Sequence, residues 1–216
     1  MTVSDVRRTM ASARAGGSVM RALASPVLAS WRSDLRGTIL DLASGDGTKD
    51  LRRLAPDATW IGLDVSHRPD VVADVTRPLP IRSSSVDVAV LSWFLYVARD
   101  PCAVLSEARR ALRPGGVLIL TVPLVFPVNP EPDDFWRFTG GAVDRLLREA
   151  GFDNREIVPL GGRWCSAAYL LEPFLRPRRV VMPAALRTAM ALDRRIERRL
   201  PGMAPNPVGY CARAVA

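Results

Sequence analysis

Apolar residues in the middle of the chain alternate between short unbroken runs and longer segments with helical spacing. The unbroken runs, which are typical of strands buried on both faces, are TILDLA, TWIGLDV, DVVADV, SVDVAVLSWF and VLILTVP. Between them, DLRRLAPD and PCAVLSEARRALRPGG have the spacing of helices, and the second is expected to end at Pro114 and Gly115. This alternation predicts an α/β fold whose parallel sheet is covered by helices on both faces.

The ends of the chain are predicted to be largely helical. Residues 1–34 precede the sheet and are expected to form helices. A proline-rich, aromatic loop, LVFPVNPEPDDFWRFT, precedes a helix, GGAVDRLLREAGF, that stops at Gly151. NREIVPL and VGYCARAVA are predicted to be the last two strands, with helices between them at about 164–175 and 183–200.

Composition places the chain among globular proteins. Its 216 residues, 48% of them hydrophobic, suffice for one domain with a substantial core. No apolar run is long enough to span a membrane, and Asp5 and several arginines stand where a signal peptide needs an apolar centre. We therefore expect a cytoplasmic protein.

Cysteine and histidine usage argues against a metal site. Cys102, Cys165 and Cys211 lack the paired spacing of zinc ligands, and their odd number does not fit a disulfide framework. We interpret them as buried small residues. His67 is the only histidine, so most catalytic zinc sites are excluded, and no metal is expected.

The net charge of +8 comes almost entirely from arginine, since Lys49 is the only lysine. Such a charge suits an acidic partner, but the chain is also generally rich in Ala, Arg and Pro. The arginine-rich segment 175–202 is best interpreted as a solvated helix face. A weak contact with an anionic membrane surface is the second interpretation. RNA binding ranks third, because no RNA-binding module accompanies the basic residues, and no nucleic-acid partner is expected.

Acidic residues stand at the ends of three successive predicted strands. In DLASGDG, Gly45 and Gly47 allow a ligand to approach the backbone, while the surrounding acids disfavour a phosphate and suit a ligand with a positive end. Asp64 follows about 20 residues later, the spacing at which an acid accepts hydrogen bonds from ribose hydroxyls. Asp74 and the amide of Val75 could pair with an adenine edge. Each acid alone is more often a turn or helix cap, but together they favour an adenosine site.

The ordered set ILDLASGDGT, WIGLDVS and VVADVTRPLPIRSSSVDVAVLSWFLYVARDPCAVLSEARRALRPGGVLILTVP resembles the class I S-adenosylmethionine-dependent methyltransferases, in particular their small type 11 branch. The resemblance covers Thr38 to Phe152. It implies a Rossmann-like, seven-stranded sheet with an antiparallel last strand. It also implies a single methyltransferase domain with a helical cap (1–34), a cofactor-binding core (37–160), a helical insertion (161–205) and a last strand (206–216).

The same resemblance implies a set of residues around the cofactor S-adenosyl-L-methionine. They are Asp41, Ala43, Gly45 and Gly47 at its methionine part, Asp64 at its ribose, Asp74 and Val75 at its adenine, and Ser92 and Trp93 near its sulfonium. Ala43 stands where the family usually has glycine. This departure keeps open a non-catalytic relative that only binds the cofactor.

The loop NPEPDDFWRFT resembles a segment of relatives associated with sugar, glycan or secondary-metabolite pathways. Those relatives often have histidines where this chain has Asn129 and Asp133, so Asp133 and Asp134 are the candidate bases. The alternative is that Asp134 caps a turn and pairs with Arg137 to hold the loop. His67 is expected to pack on the cofactor side. The candidates for contacting the acceptor are Tyr96, Trp136, Arg137 and Trp164.

The function predicted from the sequence is methyl transfer to a small-molecule acceptor, with oxygen on a sugar-like or secondary-metabolite scaffold as the first choice. A cofactor-binding module without activity, and a methyltransferase of a lipid-linked acceptor at a membrane surface, are the alternatives. The sequence leaves the oligomeric state open.

Overall fold

Seven strands form one sheet in the computed structural model, which describes residues 3–45, 49–129, 131, 133–175 and 181–216. The strands are β1 (Thr38–Leu42), β2 (Thr59–Asp64), β3 (Val71–Val72), β4 (Val86–Ser92), β5 (Leu112–Pro123), β6 (Asp153–Pro159) and β7 (Gly209–Val215). Their order is β3-β2-β1-β4-β5-β7-β6, and β7 runs antiparallel to β5 and β6 while the other pairs are parallel. The predicted fold class, including its antiparallel last strand, is confirmed.

Helices surround the sheet and join its strands. They are α1 (Val3–Arg14), α2 (Val19–Ser30), α3 (Lys49–Arg52), α4 (Pro101–Ala111), α5 (Gly140–Glu149), α6 (Arg163–Leu170), α7 (Glu172–Leu175) and α8 (Val181–Arg199), with a 3-10 turn at Leu95–Val97. Within the described ranges, none of them combines the length and the apolar character that crossing a bilayer requires.

Several boundaries differ from the sequence prediction: the strand predicted for DVVADV is only Val71–Val72, and the helix predicted for DLRRLAPD is only Lys49–Arg52. Helix α4 ends at Ala111 rather than near Pro114, and β5 begins at once, because Leu112 is extended and pairs with Val86 of β4. Pro114 disfavours a helical conformation at Arg113, which leaves the extended path open. The predicted helix 164–175 is divided into α6 and α7, with Leu171 between them.

The apolar core forms two layers, one on each face of the sheet. Alternate residues of β1 point to opposite layers: Leu40 and Leu42 pack with α4 and α5, and Ile39 packs with α2, α6 and α8. Of the cysteines, Cys165 and Cys211 are buried, and Cys102 is partly exposed. Burial, with a smaller contribution from Asp193, raises the pKa of the Cys165 thiol to about 12. The thiol therefore stays protonated at neutral pH.

Asp193 joins α8 to the start of α6. Its carboxylate accepts hydrogen bonds from the backbone N–H groups of Gly162, Trp164 and Cys165, at 3.0, 2.9 and 3.0 Å. The first N–H groups of a helix have no partner within the helix, so a carboxylate at this end stabilises it. Asp193, a residue of α8, therefore caps the start of α6.

We expect Asp193→Ala to lower the free energy of unfolding by about 2 kcal/mol, because three backbone donors lose a charged acceptor. Urea unfolding measures this change. Glu197→Ala, one turn further along the exposed part of α8, is the matched control and should change stability by less than about 0.5 kcal/mol. Equal effects of the two substitutions would contradict the capping role.

Candidate functional site

The turn that follows β1 has the backbone shape that the sequence predicts for a ligand cradle. Ala43 and Gly45 have φ values of 53° and 51°, both in the left-handed region. The Ser44 N–H donates to the Leu63 carbonyl at 3.1 Å and ties the turn to β2. Apart from its chain neighbours, no heavy atom of the described residues lies within 4 Å of where a Cβ of Gly45 would be, so its backbone is open to a ligand on that side. Gly47, the other predicted glycine, lies outside the described residues.

Ala43 occupies a position that favours glycine. A left-handed conformation brings the Cβ of an L-residue close to the following carbonyl and costs about 1–2 kcal/mol. The departure from the family pattern thus falls at a residue with positive φ, where an added methyl group strains the backbone. The chain retains the turn despite this strain, because the turn is tied to β2 on its far side.

Asp64 links the ends of β1 and β2. Its Oδ2 accepts the Gly45 N–H at 2.8 Å, and its Oδ1 accepts the Ser66 N–H at 2.9 Å and the Ser66 hydroxyl at 3.2 Å. Partial burial raises the pKa of this carboxyl, but the hydrogen bonds from Gly45 and Ser66 outweigh it and leave the pKa below its ordinary value. Asp64 is therefore an ionised acid beside the open glycine turn, and Asp41 lies fully buried within β1.

Asp74 acts as a turn cap in the structure. Its Oδ1 accepts the Thr76 N–H and hydroxyl at 2.9 and 2.7 Å, and these bonds, with Arg77 at 3.4 Å, lower its pKa. The side chain of Val75 is buried in the core. Any contact of Val75 with a ligand therefore has to come from its backbone, and the adenine roles of Asp74 and Val75 stay predictions.

Trp93 follows β4 in a strained conformation. Its φ is 54°, which is a genuine outlier for a bulky residue, and its N–H is shared between the carbonyl and hydroxyl oxygens of Thr121, both at 3.1 Å. Thr121 is fully buried and pairs with Ser92 in the sheet register. Strain of this kind persists where the surroundings fix it and is concentrated at functional sites.

A network of polar and aromatic residues holds the proline-rich loop against the 3-10 turn. We call it the loop cluster: Tyr96, Phe126, Asn129, Asp134, Trp136 and Arg137. The backbone N–H groups of Phe135 and Trp136 both donate to the Tyr96 carbonyl, at 3.0 and 3.1 Å. The Trp136 indole N–H donates to the Ala98 carbonyl at 2.8 Å, and its ring remains 42% exposed. The loop thus presents an aromatic surface while its backbone is fixed.

Arg137 is the centre of the loop cluster. Its two terminal nitrogens bond both carboxylate oxygens of Asp134 and also reach the carbonyls of Phe126, Pro127 and Trp136. The guanidinium lies over the Tyr96 and Phe126 rings, at 5.9 and 5.6 Å from their centres. These contacts use most of the N–H donors of Arg137. Arg137 therefore holds the loop in place, whether or not it also contacts a ligand.

This geometry disfavours the predicted role of Asp134 as a base. The Arg137 guanidinium, together with the Asn129 N–H, lowers the pKa of the Asp134 carboxyl to about 2. A carboxylate this acidic, with both oxygens bonded to an arginine, accepts a proton poorly near neutral pH. The arrangement is that of the loop-holding alternative. Asp133 is exposed, and its role as a base stays a prediction.

Two aromatic residues of α6 differ in their relation to the loop cluster, and the predicted role of Trp164 at the acceptor stays a prediction. Tyr169 of α6 lies within electrostatic range of Arg137 and Tyr96, and burial chiefly raises its pKa to about 12. Tyr169 is distant from the loop cluster in the sequence, and the residues around it show only helical spacing. The sequence therefore gave no signal that Tyr169 would lie near the loop cluster. Trp164 starts the same helix five residues earlier, which places it about 140° around the axis from Tyr169. Trp164 therefore does not share the face of Tyr169.

Two further features lie outside the loop cluster. The His67 ring shares a hydrogen bond with the Ser66 hydroxyl through Nδ1 at 2.6 Å, and its packing on the cofactor side stays a prediction. A cavity of about 650 Å³ lies between α2, β6 and α8, and none of the described site residues lines it. In the described part of the chain, no three His, Cys, Asp or Glu side chains converge as metal ligands would.

Comparisons with known proteins agree with this architecture. A family model with the description "Methyltransferase domain" matches residues 40–120. The uncharacterised 37.1 kDa protein in transposon TN4556 of Streptomyces fradiae is 36% identical over 175 residues, or 71% of this chain and 48% of that protein. The arsenite methyltransferase of Halobacterium salinarum is 29% identical over 153 residues, or 56% of this chain and 39% of that protein. The chain thus spans about half the length, or less, of these curated relatives.

A solved structure shows the same fold. The SAM-dependent methyltransferase from Archaeoglobus fulgidus is 16% identical and superposes with a TM-score of 0.59, over 93% of this chain and 95% of that chain. At this level of identity the likeness concerns the fold. This fold agrees with the family model, whose match is confined to residues 40–120.

We expect Ala43→Gly to leave the free energy of unfolding unchanged or to raise it by up to about 1 kcal/mol, because release of left-handed strain offsets the greater unfolded-state entropy of glycine. Ala191→Gly, at an exposed interior position of α8, is the matched control and should lower it by about 1 kcal/mol. Urea unfolding of both variants measures the difference. A loss at position 43 as large as at position 191 would contradict the strain.

We expect NMR titration of the Asp134 carboxyl to give a pKa of about 2, and Arg137→Gln to raise it toward the ordinary value of 3.8. Because the pKa is lowered in the folded state, the pair stabilises the loop fully above the ordinary value, and this contribution is lost as the pH falls toward 2. Arg155→Gln, which removes the partner of Asp144, is the control and should leave Asp134 unchanged. An unshifted Asp134 in the unmodified protein would refute the pairing.

Proposed function

We propose that this chain binds S-adenosyl-L-methionine at the carboxyl ends of β1 and β2 and transfers its methyl group to a small-molecule acceptor. The observation that carries the proposal is the ionised Asp64 carboxylate, which lies against the open backbone of the Gly45 turn. In an open parallel sheet, ligands bind where the strand order reverses, and here that point lies between β1 and β4.

The described residues fit the chemistry of this cofactor. An open left-handed glycine lets a ligand contact the main chain, and Asp64 offers carboxylate oxygens to ribose hydroxyls. Nearby acids suit a ligand that carries positive charge, whereas they would repel a phosphate. The roles proposed for Asp41, Ala43, Gly45, Asp74, Val75, Ser92 and Trp93 follow from their positions along these strand ends and from the family pattern.

The cofactor supplies a methyl group that is already activated by its sulfonium sulfur. The chain then has to hold the acceptor in line with that group, at about 3 Å, and keep water out. We assign these tasks to the loop cluster, whose backbone is fixed on the 3-10 turn, and to Tyr169 on the facing helix. Such a surface suits an acceptor with a ring.

A hydroxyl acceptor has to lose its proton as the methyl group is transferred, so a base within hydrogen-bond reach would assist the reaction. Asp134 is held by Arg137 and is better assigned to positioning the loop. The exposed Asp133 remains the candidate base for a hydroxyl acceptor. We therefore propose oxygen on a sugar-like or secondary-metabolite scaffold as the methylated atom, with Trp136 and Tyr96 in the wall that receives it.

We expect Asp64→Ala to weaken the binding of S-adenosylhomocysteine by at least about tenfold, because the ribose hydroxyls lose a charged acceptor and the Gly45 turn loses its anchor. Isothermal titration calorimetry measures the affinity. Asp57→Ala removes an exposed aspartate just before the other end of β2 and should leave the affinity unchanged.

Two results would contradict the proposal. Undiminished binding by Asp64→Ala would refute the site, and no binding by the unmodified protein would refute the cofactor. With the cofactor bound, transfer of a labelled methyl group to hydroxyl-bearing acceptors tests catalysis. Tight binding without transfer to any hydroxyl or amine acceptor would instead identify a non-catalytic cofactor-binding protein.

A further inference from the structure

Helices α6 and α7 expose an unusual amount of apolar surface. The exposed fractions are 45% for Trp164, 60% for Leu170, 51% for Leu171 and 78% for Phe174. Trp164 and Leu171 are seven residues apart and Leu170 and Phe174 four apart. Leu171, between the two helices, keeps a right-handed helical conformation, and its N–H and carbonyl bond to Ala167 and Phe174, so the helical spacing continues across the junction. We call these four residues the α6–α7 stripe. Contiguous exposed apolar groups of this size mark a surface that contacts something else.

The fold does not need the α6–α7 stripe for its own packing. The buried side of α6 is formed by Cys165, Ser166 and Ala168, and the Ser166 hydroxyl donates to the Asn206 carbonyl at 2.7 Å. Helix α7 is anchored by Glu172, which is 6% exposed and accepts the Val19 N–H of α2 at 3.1 Å. Both helices are therefore fixed from the inside, while the stripe faces outward.

Positive charge accompanies the stripe. Between Glu172 and Asp193 the sequence has no acidic residue, and its basic residues there are Arg176, Arg178, Arg179 and Arg187. Glu172 and Asp193 themselves are engaged by backbone N–H groups of α2 and α6. Arg163 precedes Trp164 and is exposed. The sequence on either side of the stripe is thus basic, in a chain whose net charge is +8; Arg176, Arg178 and Arg179 themselves lie outside the described residues.

We propose that the α6–α7 stripe docks this protein on the surface of an anionic lipid bilayer. Leucine, phenylalanine and tryptophan side chains enter the boundary between headgroups and acyl chains, and neighbouring arginines are attracted to anionic headgroups. A second copy of the chain is a poorer occupant, because it would bring the same basic segments together. A nucleic acid would satisfy the arginines but not two exposed leucines.

Docking through this stripe affects how an acceptor reaches the site. Helix α6 carries the outward Leu170 directly beside Tyr169, which lies within electrostatic range of Arg137 and Tyr96 in the loop cluster. A docked protein would therefore have its proposed acceptor side next to the bilayer, where an amphiphilic acceptor is concentrated. This consequence rests on the proposed function, whereas the docking itself does not.

Vesicle sedimentation tests the docking. The unmodified protein should sediment with phosphatidylglycerol vesicles at low salt, should be released as salt is added, and should stay in solution with phosphatidylcholine vesicles. A variant combining Leu170→Ser, Leu171→Ser and Phe174→Ser should lose at least about tenfold in partitioning to phosphatidylglycerol. Phe174→Ser alone, at the most exposed of these positions, should show a smaller loss in the same direction.

The matched control compares two leucines of equal exposure. Leu171→Ser should reduce vesicle binding, and Leu200→Ser should not, because Leu200 is 50% exposed but lies beyond the other end of α8. Binding of S-adenosylhomocysteine, measured on each variant, reports separately on the proposed function and on folding. The docking proposal is refuted by an unmodified protein that ignores phosphatidylglycerol or by equal binding of the triple variant. It is also refuted by a dimer, seen in sedimentation velocity, that the triple variant dissociates.

Discussion

The parallel pairing of β1 with both β2 and β4 is the constraint from which the site follows. Strand β1 is buried on both faces and paired on both edges, so its backbone can change direction only at its ends. The chain beyond Leu42 therefore turns at the edge of the sheet. There the Gly45 N–H meets the Asp64 carboxylate, which the adjacent strand brings to the same edge. Two residues 19 apart in sequence thereby meet at one edge of the sheet, where the cofactor is proposed to bind.

The acids at this edge take different roles for a physical reason. Asp64 faces the turn of the neighbouring strand, whereas Asp74 follows a strand of only two residues and bonds its own turn through Thr76. In the sequence, Asp64 and Asp74 have equivalent positions at the ends of predicted strands. The N–H groups near each carboxylate determine its role, because a carboxylate accepts hydrogen bonds from the nearest unpaired donors. The structure therefore strengthens the case for Asp64 more than that for Asp74.

The contacts of the folded loop distinguish between the two interpretations of Asp134 that the sequence allowed. The order Asp133, Asp134, Phe135, Trp136, Arg137 predicted a base beside an aromatic wall, and it was equally compatible with an internal ion pair. Folding the loop onto the 3-10 turn brings Arg137 over two rings and onto Asp134, which favours the loop-holding role of Asp134. Asp193 is a similar case, since its partners lie on a different helix.

The sequence by itself determined the strands, the fold class and the turn at which a cofactor is expected, because runs of apolar residues and glycine positions are local patterns that report burial and backbone freedom. Only the tertiary structure decided that Ala43 is strained, that Asp134 is paired, that Tyr169 approaches the loop cluster and that Trp164 faces outward. The Asp134–Arg137 pair is local in sequence, but it forms in a loop that is held on the distant 3-10 turn, and the other three depend on how distant segments pack. The energy of such contacts is set by geometry that no local pattern contains.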